Sequence, residues 1–143
     1  GIMNLMYIAE PGCEPALGNS FAAGIDLRAK QALKLRPGAT GTVGTGLRVK
    51  LPTNHVGFVR GRSGLAFRKN VWAFEGTIDE DYTGEIAILL MNNGVEEYDV
   101  AKGERVAQLV IVPVTRCTPT VTPFLIGPMG GRGDNGFGST GTI

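Results

Sequence analysis

An all-β fold is what this sequence predicts, on three observations. Val, Ile and Thr make up 33 of the 143 residues, and branched side chains suit a pleated, half-buried surface. Glycine (22) and proline (8) interrupt the chain every few residues, which leaves no room for long helices. Between the interruptions, apolar and polar residues alternate over short runs, the period of a strand. Many short strands punctuated by turn residues indicate a sandwich, a barrel or a jelly roll.

The elements follow in chain order. In the longest uninterrupted stretch, Ile25 to Arg36, Ile25, Leu27, Ala29, Leu33 and Leu35 alternate with Asp26, Arg28, Lys34 and Arg36, a strand signal, although Ala29 to Leu35 also fits one helical turn. Thr42 to Leu51 reads TVGTGLRVKL and ends at Pro52; Val56 to Gly61 reads VGFVRG. One or two helical turns are predicted over Ser63 to Lys69, with Ser63 as their cap. Strands follow at Val71–Phe74, Glu85–Asn92 and Arg105–Val114, and turns are expected at Pro37-Gly38, Pro52-Thr53-Asn54 and Asn92-Asn93-Gly94. Residues 1–126 read as one β domain. Gly127 to Ile143 holds seven glycines and almost no core-forming residues, so it is expected to be a flexible arm.

Composition excludes several function classes. The chain is the size of one domain. A net charge of +1 provides no broad field for nucleic acid or an anionic membrane. The longest apolar runs, such as Ile86–Met91, fall far short of the ~20 residues that span a bilayer. Met3 to Pro11 has neither a basic start nor an apolar core of useful length, so no secretory leader is expected. Cys13, Cys117 and His55 are too few for a common zinc site or a disulfide framework. An intracellular, reducing compartment is expected, with both cysteines as small buried hydrophobes. Charged residues are 19% against about 25% in an average domain, a hint that more surface is buried than one small monomer would bury.

Three segments carry chemistry. The tail matches G-x-G-x-x-G twice, at Gly131–Gly136 and Gly136–Gly141. A dinucleotide fold would need a strand before it, a helix after it and an acidic residue about 20 positions on, and the chain ends at Ile143. The same glycines still let backbone N–H groups approach phosphate oxygens. Arg132 adds a bidentate donor, Ser139 and Thr140 add hydroxyls, and Phe137 offers a flat face for a base; a plain linker needs none of these. Arg62-Ser63-Gly64, between a strand and a helical turn, is a weak anion site, since Ser at a helix start is common in structural settings. Asp79, Glu80, Asp81 and Glu85 place four carboxylates in seven positions. That is usually a solvated turn, yet Asp79 follows apolar Ile78 and precedes an alternating segment, which would set it at a strand edge facing a cleft. An ionised aspartate there can accept a proton from water.

In order along the chain, Ala23-Gly24-Ile25-Asp26-Leu27, Gly61-Arg62-Ser63-Gly64-Leu65-Ala66, Gly76-Thr77-Ile78-Asp79 with Tyr82 and Gly84, Gly103-Glu104-Arg105-Val106-Ala107-Gln108-Leu109 and Arg132 to Gly141 resemble the five motifs of the trimeric dUTPases. The resemblance spans about Ala22 to Gly141. Three places depart from it: Gly61 stands where a proline often precedes the arginine, Ala73 where many members carry asparagine, and Asp134-Asn135 is a variation within the arm. The resemblance implies a jelly-roll homotrimer with three sites between subunits. It implies hydrolysis of dUTP to dUMP and pyrophosphate with Mg2+, which keeps uracil out of DNA and supplies dUMP. Asp79 would orient and deprotonate the water that attacks the α-phosphorus. Tyr82 would pack under the deoxyribose and leave no room for a 2′-hydroxyl. Main-chain groups around Ala73, Gly76, Thr77 and Ile78 would pair with uracil. Ser63, Gly64, Gln108, Arg132, Ser139 and Thr140 would hold the phosphates, with Phe137 stacked on the base; Arg62 and Gly138 would also bind the substrate, and Asp26 would hold a water of the magnesium shell. Neither nucleic acid nor a membrane is implied as a partner.

Two rivals are weighed against this. A related dCTP deaminase or bifunctional enzyme shares the Arg-Ser motif, but Tyr82 and the arm with Phe137 favour the dUTPase. A regulatory protein using the nucleotide only as a switch would not need Asp79, Tyr82 and Gln108 together; a regulatory partner in addition to catalysis stays open.

Overall fold

A computed structural model describes residues 3–133. Twelve strands and one helix occur among them, in the order β1 Met6–Ala9, β2 Ala16–Leu17, β3 Gly24–Arg28, β4 Leu33–Leu35, β5 Thr40–Gly44, β6 Leu47–Lys50, β7 His55–Arg60, α1 Ser63–Lys69, β8 Val71–Ala73, β9 Thr77–Ile78, β10 Ala87–Asn92, β11 Tyr98–Val100 and β12 Arg105–Pro113. All strand pairs are antiparallel. The largest sheet runs β2-β3-β12-β7-β9, a second runs β5-β10-β8, and β1-β6 and β11-β4 form two-stranded ribbons. Inward side chains of all four meet in one core: Leu27, Val59 and Leu109 from the largest sheet, Val43, Ile88 and Leu90 from the second, Leu47, Val49, Leu35 and Val100 from the ribbons. This is the all-β, jelly-roll-like architecture expected. No helix among the described residues is long and apolar enough to cross a membrane.

Two stretches predicted as single strands each divide in two, and the division closes the fold. Thr42–Leu51 breaks at Thr45-Gly46. Gly46 has φ +63°, a conformation that favours glycine. Buried Thr45 donates its hydroxyl to the Ile86 carbonyl at 2.6 Å and accepts from the Leu47 N–H at 3.2 Å. The chain thereby leaves β10 and pairs with β1. Ile25–Arg36 breaks after Arg28, where Ala29 N–H turns to Glu104 O and Lys30 N–H to Gly44 O; β3 stays with β12 while β4 joins β11. Alternation persists across both corners, so periodicity alone cannot locate them. The short strands β1, β2, β9 and β11 carry too few residues to show a period.

The helix lies where predicted, but its cap does not. Arg62, with φ −100° and ψ 130°, is the N-cap residue, and no side chain caps the helix. Ser63 is the first helical residue and is exposed, and its hydroxyl makes no capping bond. Asn70 ends the helix in the left-handed conformation. The cysteines also divide. Cys13 is buried against Gly46, where a Cβ would come within 2.7 Å of its sulfur. Cys117 is exposed, because it lies beyond Pro113, where the last strand ends and no core remains to cover it. Every residue from 115 to 133 is exposed.

Asn92 is wholly buried at the end of β10. Its amide donates to Leu35 O at 3.0 Å and Glu96 O at 2.9 Å, and its oxygen accepts from Gly94 N–H at 2.9 Å. Truncation would leave buried carbonyls unpaired. Asn92→Ala should destabilise the domain by about 2–3 kcal/mol in chemical denaturation, whereas a loss below about 0.5 kcal/mol would show that water replaces all three bonds.

Candidate active site

The polar residues of the central sheet gather on one face because of register. Gln108 on β12 stands opposite Asp26 on β3 and Arg60 on β7, and cross-strand partners share a face. Gly24 is buried beside them; a Cβ there would lie 2.0 Å from Gln108 Oε1, so only glycine admits the side chain in this position. Gln108 in turn donates its amide to Gly61 O at 3.1 Å, which holds the loop leading into α1. Arg62 from that loop donates to Arg105 O at 3.1 Å. A cleft of about 200 Å³ results, lined by Asp26, Arg62, Ser63, Gly64 and Gln108 among others. Of the residues read from the sequence as substrate-binding, Arg62, Ser63, Gly64 and Gln108 thus lie together with Asp26, the one read as a metal-water ligand.

Arg105 was not read from the sequence as part of this site. It lies three residues before Gln108, and odd spacing in a regular strand sends side chains to opposite faces. A bulge between Arg105 and Ala107 resets the alternation. Arg105 then reaches Asp26 Oδ2 at 3.3 Å, while Arg62 Nε stands 3.6 Å from Asp26 Oδ1. The carboxylate, only 15% exposed, is therefore held between two guanidinium groups.

Behind Arg105, Tyr98 donates its hydroxyl to Glu104, whose other oxygen accepts from Ala101 N–H at 3.0 Å. Burial and then the Glu104 carboxylate push the Tyr98 phenol up to about 12.

A second cleft, of about 340 Å³, is lined by Thr77, Ile78, Asp79, Tyr82, Glu85, Ile86 and Ala87. It shares no lining residue with the first. Strand β9 adds to the edge of β7, pairing Ile78 with Gly57 and Thr77 with Phe58, and Val59 N–H donates to Gly76 O at 2.9 Å. Asp79 follows β9 directly and is exposed, at the strand end where it was expected. Tyr82 N–H returns to Asp79 O at 3.0 Å, closing the turn that brings both residues to the lining of this cleft.

The acidic run is not uniform. Glu80 accepts from Asn54 N–H at 2.8 Å and pairs with Arg116 at 2.9 Å, and those two, in that order, hold it below the usual glutamate range. Glu85 accepts from Gly46 N–H at 3.1 Å and pairs with Lys30 at 3.1 Å, which lower it likewise. Both are structural, whereas the Asp79 carboxylate takes no hydrogen bond or ion pair among the described residues. Ala73 is half-buried on β8, its backbone nitrogen 3.6 Å from where a Cβ on Gly61 would stand. Arg132 is exposed and lines neither cleft; Phe137, Gly138, Ser139 and Thr140 lie outside the described residues.

Known proteins resemble this chain in sequence and in fold. The sequence profile of the dUTPase family matches residues 13–141. A deoxyuridine 5′-triphosphate nucleotidohydrolase of Anaeromyxobacter sp. is 48% identical over 129 residues, covering 89% of this chain and 86% of that protein. The solved dUTPase of Staphylococcus bacteriophage 80alpha with dUPNHPP superposes with a TM-score of 0.88 at 24% identity, covering 97% of this chain and 99% of that one. A dUTPase from phage phi11 of S. aureus, solved as a point mutant with a structural Mg(II) ion, gives a TM-score of 0.80 at 22% identity, over 85% of this chain and 98% of that one.

The Tyr98 contact generates a pH prediction. A phenol whose pKa rises on folding, here from 10.0 to about 12, stabilises the folded state below pH 10 and loses that contribution as pH climbs toward 12. Alkaline titration followed by tyrosinate absorbance should show a late step near pH 12 that Tyr98→Phe removes. An identical titration curve for the variant would contradict the assignment.

Proposed function

This chain belongs to the dUTPase family, and from that premise we propose how its own residues act on the nucleotide. It hydrolyses dUTP to dUMP and pyrophosphate. The observation that carries the proposal is the division of functional side chains between two separate clefts. One offers Arg62, Ser63, Gly64 and Gln108, donors and open backbone suited to phosphate oxygens. A Cβ on Gly64 would meet no protein atom within 4 Å, so packing inside the chain does not demand that glycine and a close-lying ligand does. The other offers an unpartnered carboxylate, Asp79, and an aromatic ring, Tyr82.

Neither cleft suffices alone, so the reading joins them across subunits of a cyclic trimer. Apolar surface left outside the single chain supports this: Trp72, Leu89 and Met91 on the outer face of the β5-β10-β8 sheet, and Val121, Phe124, Leu125 and Ile126 beyond β12, are all exposed. Such patches mark association surfaces, and heterologous interfaces close into rings. The glycine-rich arm, residues 127–143, would then reach a neighbour's site with Arg132, Phe137, Gly138, Ser139 and Thr140.

In the joined site the triphosphate lies across Ser63, Gly64 and Gln108, while Arg62 and Arg132 neutralise its charge. Tyr82 supports the deoxyribose, and main-chain groups from Ala73 to Ile78 read uracil. Asp79 orients one water in line with the α-phosphorus and accepts its proton. Pyrophosphate leaves with charge that the arginines offset. Among the described residues no three His, Cys, Asp or Glu side chains converge on a metal site, and Asp26 is already paired with two arginines. A Mg2+ held by the substrate phosphates would need from the protein only a carboxylate for its water shell, and Asp26 would be the residue to accept from it. When bound, the ion lowers the charge of the phosphates under attack.

A panel of dUTP, UTP, dCTP and dTTP tests the assignment, with strong preference for dUTP expected. Asp79→Asn should lower turnover by about 10²–10⁴ while binding of a non-hydrolysable analogue survives. Turnover within a few fold of the parent would make Asp79 a structural carboxylate.

A further inference from the structure

Tyr82 does not hold its own position. Its ring folds back over Gly84, where a Cβ would lie 2.7 Å from the hydroxyl and 2.8 Å from Cζ, and its hydroxyl donates to the Glu85 carbonyl at 2.7 Å. The tip of the ring is thus set by the place of one carbonyl, and Glu85 precedes β10, outside any strand ladder. That carbonyl shares its peptide with Ile86 N–H, which donates to Leu47 O at 2.9 Å, and the Glu85 side chain adds a second anchor. Oε2 accepts from Gly46 N–H at 3.1 Å and Oε1 pairs with Lys30 Nζ at 3.1 Å. Lys30 also pairs with Glu10 at 3.3 Å and is tied by its backbone N–H to Gly44 O at 2.9 Å. At Gly44 a Cβ would lie 2.2 Å from Glu85 Oε2, so the backbone there is stripped of a side chain to admit the carboxylate.

The pair is only partly shielded, with side-chain exposures of 34% and 36%, so it adds little to stability. Its geometric consequence is larger, because it adds to the main-chain hold on the Glu85 carbonyl against which Tyr82 rests. We infer that Lys30 and Glu85 are positioning residues for sugar selectivity: they hold the Tyr82 ring at the depth where a deoxyribose fits and a 2′-hydroxyl does not. The inference rests on the reading above that Tyr82 lies under the sugar. Glu85 lines the Asp79 cleft, but neither it nor Lys30 is among the residues read above as touching the nucleotide.

The test compares kcat/KM for dUTP and UTP in the parent, Lys30→Met, Lys30→Arg, Glu85→Gln, Gly84→Ala and Tyr82→Ala. The ratio of the two values does not depend on how much of a preparation is folded, so general destabilisation leaves it unmoved. Lys30→Met and Glu85→Gln should each lower the dUTP:UTP ratio by about tenfold, Lys30→Arg should retain it, and Gly84→Ala, which displaces the ring without touching the ion pair, should lower it too. If Tyr82→Ala lowers the ratio while Lys30→Met and Glu85→Gln stay within about twofold of the parent, the positioning role is wrong. If Tyr82→Ala also leaves the ratio intact, the sugar role of Tyr82 has failed, and this inference falls with it.

Discussion

Strand β12 is the constraint on which the structure turns. It is the longest strand and lies between β3 and β7, so its backbone is paired on both edges and its inward residues Val106, Ala107 and Leu109 are buried. That pairing decides which residues can meet. Gln108 faces Asp26 across one edge and Arg60 across the other, and the bulge at Arg105 turns a third polar side chain onto the face of Asp26. The same strand, through β7, carries the edge pairing of β9 that presents Asp79. A slip of one residue would send Gln108 into the core, and the phosphate cleft would cease to exist.

Glycines extend the control that β12 exerts. At Gly24 and Gly44 the backbone conformation is ordinary and the requirement is space, for Gln108 in the first case and Glu85 in the second. At Gly46 the requirement is a positive φ that lets the chain leave one sheet for another. These are different physical reasons for one residue type.

Much of this was legible in the sequence. Branched residues and short alternations announced an all-β fold, and the apolar step before Asp79 placed it at a strand end. The corners at Thr45-Gly46 and Ala29 were hidden, because a chain that switches sheets keeps the alternation of its side chains. The cap was misplaced at Ser63 because serine at a helix start usually bonds the backbone; here Arg62 takes the extended cap position. Arg105 was invisible for a geometric reason, since only a bulge makes a spacing of three residues share a face. Glu80 and Glu85 could not be told from Asp79 by composition. Their partners, Arg116 and Lys30, are distant in sequence and meet them only in the folded chain.

The central claim is that a working site needs the phosphate cleft of one chain and the Asp79 cleft of another. Mixed trimers test it most directly. One chain carries Asp79→Asn, the other Ser63→Ala with Gln108→Ala, and each homotrimer is inactive or nearly so. When the two are co-expressed and mixed trimers are isolated by two affinity tags, each should contain one site built from intact halves, and dUTP hydrolysis should return to a substantial fraction of the parent rate. Mixed trimers that form and stay as inactive as their parents would show that both clefts serve the same site within one chain.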